Sequence, residues 1–248
     1  MLTQERYQYI LRVLDDRKAV SVAELTKELS ISESTIRRDL NALAKMGKLN
    51  KVHGGATYLE QQNRVTHEDQ VEIRRRIYSS KKDAIGRYAA TLIEPEDFVY
   101  IDAGTTTVSM IPYLNEKNAI YVTNAMEIAS KLVRRGFTTY TLAGRIRQIT
   151  EAIVGCEAEQ SIDKYHFTKG FFGVNGISIE AGYSTPNIEE ARIKEVAMKH
   201  CYQAFILADS SKFSINSSVT FGNLEDATII TDKLTDNIYK QSTNITLV

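Results

Sequence analysis

Apolar residues near the amino terminus repeat with the period of a helix. Tyr7, Ile10, Leu11 and Leu14 stand at i, i+3, i+4 and i+7 and predict a first amphipathic helix, followed by a turn at Asp15-Asp16-Arg17-Lys18. Ser21-Val22-Ala23-Glu24 has the form of a capping box, so a second helix should start there. It runs to about Leu29, buries Val22, Leu25 and Leu29, and ends in the turn Ser30-Ile31-Ser32. A third helix is expected from near Ser32 to about Met46, with Ile36, Leu40 and Leu43 on its buried face and Gly47 closing it. The alternating, glycine-tipped segment Lys48–Ala56 reads as a two-stranded wing.

Beyond residue 58 the pattern changes. Residues 59–82 are polar and charged and read as a linker; the helical period resumes near Lys82 with Ile85, Ala89 and Leu92 and stops before Pro95. Short apolar runs then alternate with helical stretches: Phe98–Ile101, Ala119–Val122, Thr138–Leu142, Phe171–Val174, Phe205–Ala208 and Thr228–Ile230. Strands alternating with helices predict a largely parallel sheet covered on both faces. The expected organisation is therefore a helix-turn-helix unit at 1–58, a linker at 59–82 and a Rossmann-like α/β domain at 83–248.

Composition narrows the classes. The 248 residues are 43% hydrophobic and 25% charged, as in ordinary globular chains, and no apolar run is long enough for a membrane span. Met1–Arg6 leads directly into the first helix and not into a secretory leader, so a cytoplasmic protein is expected and Cys156 and Cys201 should be free thiols. The four histidines stand at no zinc-ligand spacing to the cysteines, so no metal is expected. The net charge is zero but uneven: residues 1–58 carry ten Lys/Arg against seven Asp/Glu, and the rest carry 21 against 24. The asymmetry is mild, in the direction a nucleic-acid-binding head requires.

The third helix has the division of labour of a recognition helix. Its apolar face fixes its angle, which leaves Ser34, Thr35, Arg37, Arg38 and Asn41 for the major groove. Arginine suits that role because its planar fork grips a guanine edge or a phosphate with two hydrogen bonds. Lys51 and His53 of the wing are expected on the phosphate backbone. In the α/β domain, polar residues cluster where strands end, at Asp102–Thr106, Thr123-Asn124 and Asp209–Lys212, which is where such sheets bind ligands. Gly104 allows close backbone approach, and Thr105, Thr106 and Thr107 offer hydroxyls beside free amides at the start of an expected helix. With Lys212 nearby, the rim favours a phosphate; Asp102 is then left to sugar hydroxyls or to holding the loop. Gly170, Gly173 and Gly176 have the wrong spacing for a dinucleotide fingerprint and no P-loop occurs, so no nucleotide cofactor is expected. Arg74-Arg75-Arg76 fits a further DNA contact, an anion clamp or a solvated face.

Ser32–Leu40, Gly47-Lys48-Leu49 and Val52–Ala56 together resemble the winged-helix signature of the DeoR family of bacterial repressors. The resemblance resumes at Asp102–Thr106, Val122-Thr123-Asn124, Gly173–Ile177 and Ala208–Phe213, and covers nearly the whole chain. It implies a sensor domain with the fold of ribose-5-phosphate isomerase that binds phosphorylated sugars. Phosphate is then placed on Gly104–Thr106, and Asp209 and Lys212 join the effector site. Two departures are visible. Lys51 replaces a common arginine, keeping charge but losing the fork, and Arg145 stands where a second glycine is usual, either reshaping the pocket or meeting the phosphate. Thr150–Gly155 and Gly182–Pro186 look most like fructose-operon repressors, which makes fructose 1-phosphate the leading effector. The full expected effector set is Asp102, Gly104, Thr105, Thr106, Thr123, Asn124, Arg145, Lys169, Asp209 and Lys212.

Two other classes compete with this reading. A sugar-phosphate isomerase carrying a DNA-binding head would need a carboxylate base, but Phe172–Gly176 lacks both aspartates of the Asp-Gly-Ala-Asp-Glu segment in the resembling isomerases. A structural DNA-binding protein would need no polar rim at several strand ends. The expected partners are double-stranded operator DNA, a phosphorylated sugar and further copies of the chain, because paired heads on two half-sites supply affinity that one head lacks.

Overall fold

The computed structural model describes residues 3–45, 48–58, 64–65, 71–234 and 236–248. Met46 and Gly47, expected to close the third helix, and Gln61–Asn63 of the expected linker lie outside the described residues. The chain forms two compact units, residues 1–62 and 63–248.

In the first unit, α1 (Thr3–Arg17), α2 (Val22–Leu29) and α3 (Glu33–Lys45) enclose a small core in which Ile10, Leu14, Leu25, Ile36, Leu40 and Leu43 are buried. The capping box closes α2: the Glu24 amide donates to the Ser21 hydroxyl at 3.1 Å, and the Ser21 amide to the Glu24 carboxylate at 2.7 Å. Asp39 is buried on α3 and accepts two hydrogen bonds from Arg6 of α1, at 2.7 and 3.1 Å.

Two local expectations are corrected. Residues 15–17 continue α1, and the chain turns at Lys18, whose φ of 63° is left-handed. Neither aspartate nor arginine breaks a helix by itself, so the charge cluster alone did not mark the end. The wing also has a third strand. β1 (Ala19–Ser21) pairs antiparallel with β3 (Gly55–Thr57), which pairs in turn with β2 (Asn50–Val52). A Cβ on Gly55 would lie 2.3 Å from the Val20 carbonyl oxygen, so only glycine permits this approach. Gly54 turns the hairpin at φ 83°.

In the second unit a short strand, Arg64–Val65, precedes α4 (Val71–Arg76) and α5 (Ser79–Ala90). The stretch expected as linker is thus helical from residue 71, and α5 starts before Lys82. Lys82 itself is buried with Ile85, Gly86 and Ala89, so a lysine occupies a position on the apolar face and hid the period. A wholly parallel seven-stranded sheet follows, formed by β4 (Phe98–Ile101), β5 (Ile120–Thr123), β6 (Thr138–Thr141), β7 (Phe167–Gly173), β8 (Cys201–Leu207), β9 (Thr228–Thr231) and β10 (Ile245–Leu247). Its spatial order is β10-β9-β8-β7-β4-β5-β6. Six strands match predicted runs, with β7 starting earlier because Thr168, Lys169 and Gly170 break its apolar pattern; β10 was not predicted.

Successive residues of each strand feed opposite cores. Val99, Ile101, Phe171 and Leu207 pack with Ile85 and Ala89 of α5 and with Ile128 and Leu132 of α6 (Met126–Arg134). Tyr100, Phe172 and Ile206 pack with Ala158 and Ile162 of α7 (Cys156–Ile162) and with Ile193 and Val196 of α8 (Ile188–Lys199). The chain leaves β4 toward β5 on one side and places β7 on the other. The strand order therefore reverses at the β4/β7 pair, and a crevice opens at their carboxyl ends.

Candidate functional site

The exposed surface of α3 carries the expected reading residues. Ser34, Arg37, Arg38 and Asn41 are exposed and Thr35 is half-buried. Arg37 donates to Glu33 at 3.1 Å, one helical turn back, and the Ser32 hydroxyl lies 3.0 Å from that of Thr35. Lys51, in the middle of β2, and His53, at the tip of the β2–β3 hairpin, are both exposed.

At the β4/β7 reversal lies a cavity of about 200 Å³. Its floor is the loop after β4, Ala103 to Thr106. The helix expected to open there is a six-residue 3-10 helix, Val108–Tyr113, with Pro112 inside. The β-branched run Thr105–Val108 and the missing proline amide both work against an α-helix. Thr107 locks the loop by donating to the Asp102 and Gly104 carbonyls at 2.7 and 2.9 Å. A Cβ added to Gly104 would press on the Thr107 hydroxyl at 3.0 Å and make an ordinary contact with the Gly173 Cα at the end of β7, 3.7 Å away.

Five of the ten expected effector residues line the cavity: Gly104, Thr105, Thr106, Asp209 and Lys212. Asp209 is only 1% exposed, and its Oδ1 accepts the Ser211 amide at 3.0 Å. Its Oδ2 is buried and has no hydrogen-bond partner among the described residues.

The other five stand behind the cavity or away from it. Asp102, 1% exposed, forms a buried ion pair with Lys194 and accepts the Gly173 amide at 3.0 Å, so it holds the loop. Burial pushes the Asp102 carboxyl above its ordinary range, against the pull of Lys194. Thr123 donates to the Ile101 carbonyl, and the Asn124 side chain accepts the Ala103 amide at 2.9 Å; both buttress the floor. Arg145 is exposed and bound to Glu189 at 2.7 Å, outside the lining. Lys169 is the clearest correction. It lies in the first half of β7, beside Val99 at the start of β4, and its ammonium is held by Glu94 and Asp97 at 2.7 and 2.8 Å. A parallel strand delivers only its carboxyl end to the crevice, and Lys169 is at the other end.

Sequence reasoning missed several wall residues. Lys82, 6% exposed, donates to the Thr105 hydroxyl at 3.1 Å and to the Arg74 carbonyl. Burial lowers its pKa to about 8; Asp209 opposes that shift, while Lys212 and Arg74 add to it. Lys194 and Glu190 of α8, Asn175 after β7, and Val71, Arg74 and Ile77 complete the walls. The available signal was a lysine on an otherwise apolar face, at Lys82 and again at Lys194 between Ile193 and Val196. Of the arginine run, Arg74 faces the cavity and Arg75 pairs with Glu127 at 2.6 Å.

The HTH-type transcriptional regulator FruR of Bacillus subtilis, itself uncharacterized, is 38% identical over 252 residues, covering 100% of this chain and 99% of its own. The lactose phosphotransferase system repressor of Staphylococcus epidermidis is 30% identical over 242 residues, covering 94% of this chain and 92% of its own. Ribose 5-phosphate isomerase A of Methanocaldococcus jannaschii superposes on 54% of the chain, and 54% of its own, at 13% identity and a TM-score of 0.41. Both of these relatives are named as a regulator or a repressor and not as an enzyme, which sets the isomerase alternative aside. The DeoR-like helix-turn-helix domain matches residues 6–62 and the DeoR C-terminal sensor domain residues 77–233. The chain belongs to the DeoR family of DNA-binding transcription regulators.

Proposed function

We propose that this regulator represses a sugar-utilisation operon in the cytoplasm as a homo-oligomer, and that a phosphorylated sugar, with fructose 1-phosphate foremost, binds the cavity at the β4/β7 reversal. The observation that carries the reading is the convergence there of Lys82, Lys212 and the Thr105 hydroxyl beside Asp209, whose Oδ2 is buried without a partner among the described residues. The cations suit a phosphoryl group, and the carboxylate oxygen suits a sugar hydroxyl. Among the described residues no helix is long and apolar enough to cross a membrane. The names of the relatives, among them a lactose phosphotransferase system repressor, support a sugar-linked role. Ser34, Thr35, Arg37, Arg38 and Asn41 read the operator, and Lys51 and His53 hold its backbone.

The cavity also offers a route for the signal. Val71, Arg74 and Ile77 belong to or adjoin α4, which follows the DNA-binding unit in the chain and is also a cavity wall. A ligand that touches α4 changes the free energy of the segment leading to the head, and linkage requires operator DNA to change effector affinity by the same factor by which the effector changes operator affinity.

A thermal-shift scan against sugar phosphates and their unphosphorylated partners tests this reading. A ligand at a hundred times its Kd should stabilise the sensor by about 2.7 kcal/mol. The same ligand should shift operator affinity in a gel or anisotropy assay. Response to the free sugar but not to its phosphate would contradict the proposed chemistry.

A further inference from the structure

One charged residue of α3 stands on the apolar stripe of the helix. Ser34, Arg37, Arg38 and Asn41 recur at i, i+3, i+4 and i+7 and keep one face exposed. Ile36, Asp39, Leu40 and Leu43 recur at the same spacing on the opposite face, and all four are buried. Asp39 thus holds a core position among three aliphatic side chains. Its own side chain is 4% exposed, and that of Arg6, which reaches it from the amino-terminal end of α1, is 12% exposed. Both carboxylate oxygens are engaged: Arg6 Nε donates to Oδ2 at 2.7 Å and Nη2 to Oδ1 at 3.1 Å. A buried ion pair adds little to stability, because taking two charges out of water offsets their attraction, and a well-packed apolar pair would join α1 to α3 as firmly. What the pair adds is direction. The apolar contacts of Ile36, Leu40 and Leu43 are non-directional and tolerate small rotations of the helix. A planar fork on two carboxylate oxygens is satisfied at one separation and one rotation.

We infer that Arg6 and Asp39 are positioning residues for operator selectivity: their buried pair sets the rotation of α3, and neither touches DNA. The inference rests on the reading of α3 as the helix that enters the major groove. Arg37, Arg38 and Asn41 take no part in the packing beneath them, but the same helix carries them, so a turn of α3 about its axis moves all three against the base edges. A base contact depends on that aim, because the donors and acceptors of a base edge lie in a fixed pattern. Nonspecific binding is attraction between exposed cations and phosphates and is far less sensitive to it. Loss of the pair therefore has a signature that a merely structural contact lacks, namely lower selectivity in a head that is folded and carries the same net charge.

Anisotropy titrations of the full-length protein test the inference on two duplexes, one selected from a random library by the wild-type protein and one a scrambled sequence of the same composition. The double variant Arg6→Met/Asp39→Leu replaces the pair by apolar groups and leaves the net charge unchanged. It should melt close to the wild type. It should bind the scrambled duplex with unchanged affinity and salt slope, and the selected duplex at least about fivefold more weakly, the lower worth of one misplaced bidentate base contact. Arg6→Lys keeps the charge and gives up the fork; it should lose selectivity in the same sense, and it decides the matter if the double variant does not fold. A folded double variant with the wild-type ratio of the two affinities overturns the inference, and so does a loss that falls equally on both duplexes. If Arg37→Ala and Arg38→Ala also leave the selected duplex bound as before, the reading of α3 falls and takes this inference with it. That result is distinct from selectivity lost in those two variants but kept without the pair.

Discussion

The DNA-reading unit and the sensor handle their cations in opposite ways. On α3 and the wing, Arg37, Arg38 and Lys51 are exposed, placed by local helix and hairpin geometry, and little coupled to the packing beneath them. In the sensor, Lys82, Lys169 and Lys194 are buried, each fixed by partners distant in sequence. Exposed charge suits a surface that must meet a polyanion and leave it, because most of that attraction is released by salt. Buried charge suits a small cavity, where low polarity strengthens each contact and penalises any group left unpaired. Cations therefore serve the head by position and the sensor by pairing.

The contrast breaks most visibly at the buried pair. Lys194→Met leaves Asp102 inside the sensor without its counter-ion, and loss of one partner of a buried pair costs about 3–5 kcal/mol. Urea unfolding of the variant should show that loss in the sensor transition, while the helix-turn-helix unit keeps its helices.

In the head, Arg37→Ala or Arg38→Ala should leave stability within about 0.5 kcal/mol, since both side chains are exposed. Operator affinity should fall by about 1–3 kcal/mol for a base contact. A phosphate contact would instead weaken specific and nonspecific DNA alike and reduce the salt slope by about one, so anisotropy titrations at several salt concentrations tell the two apart.

Lys82 sharpens the contrast through pH. Its pKa is pulled down to about 8 by burial, so it is mostly charged at pH 7 and mostly neutral at pH 9. A phosphomonoester, with its second pKa near 6, is already a dianion across that range. Effector affinity should therefore fall as pH rises through 8, by about tenfold at pH 9 if only the charged lysine binds. In Lys82→Met the affinity should be lower throughout and flat over the same range. A wild-type affinity unchanged between pH 7 and 9 would remove Lys82 from the phosphate end.

The smallest effect belongs to local structure. Ser21→Ala removes the side-chain acceptor for the Glu24 amide at the start of α2 and should cost about 1 kcal/mol in the head, with no change in effector binding. Separate melting of the two units checks both halves of that statement.

Much of the head was legible because its signals are short in range. The Ser21–Glu24 box, the buried Ile36, Leu40 and Leu43, and the Gly54 turn each depend on neighbours within a few residues. The third wing strand escaped because β1 exists only through its pairing with β3, far along the chain. In the sensor, the loops at the ends of β4 and β8, which the sequence marks by their polar residues, line the cavity, since a parallel sheet presents its strand ends there. Lys169 was misplaced because the apolar pattern hid the first residues of its strand, and with them the fact that it lies at the amino end, away from the crevice. Lys82, Glu190 and Lys194 were passed over because a charged residue on a helix normally signals solvent.

Hydrophobic period, capping chemistry and turn residues were enough to specify the first three helices, six strands of the seven-stranded sheet and the layered α/β class, because each acts within a few bonds or one turn. The place of β7 beside β4, and with it the cavity, belongs to long-range packing. So does the pairing of Lys194 with Asp102 across 92 positions, together with the contacts of Lys82 with Thr105 and Arg74. Those contacts hold because burial makes an unpaired charge too costly to leave, and which charges are buried is settled only when the sheet and its helices come together.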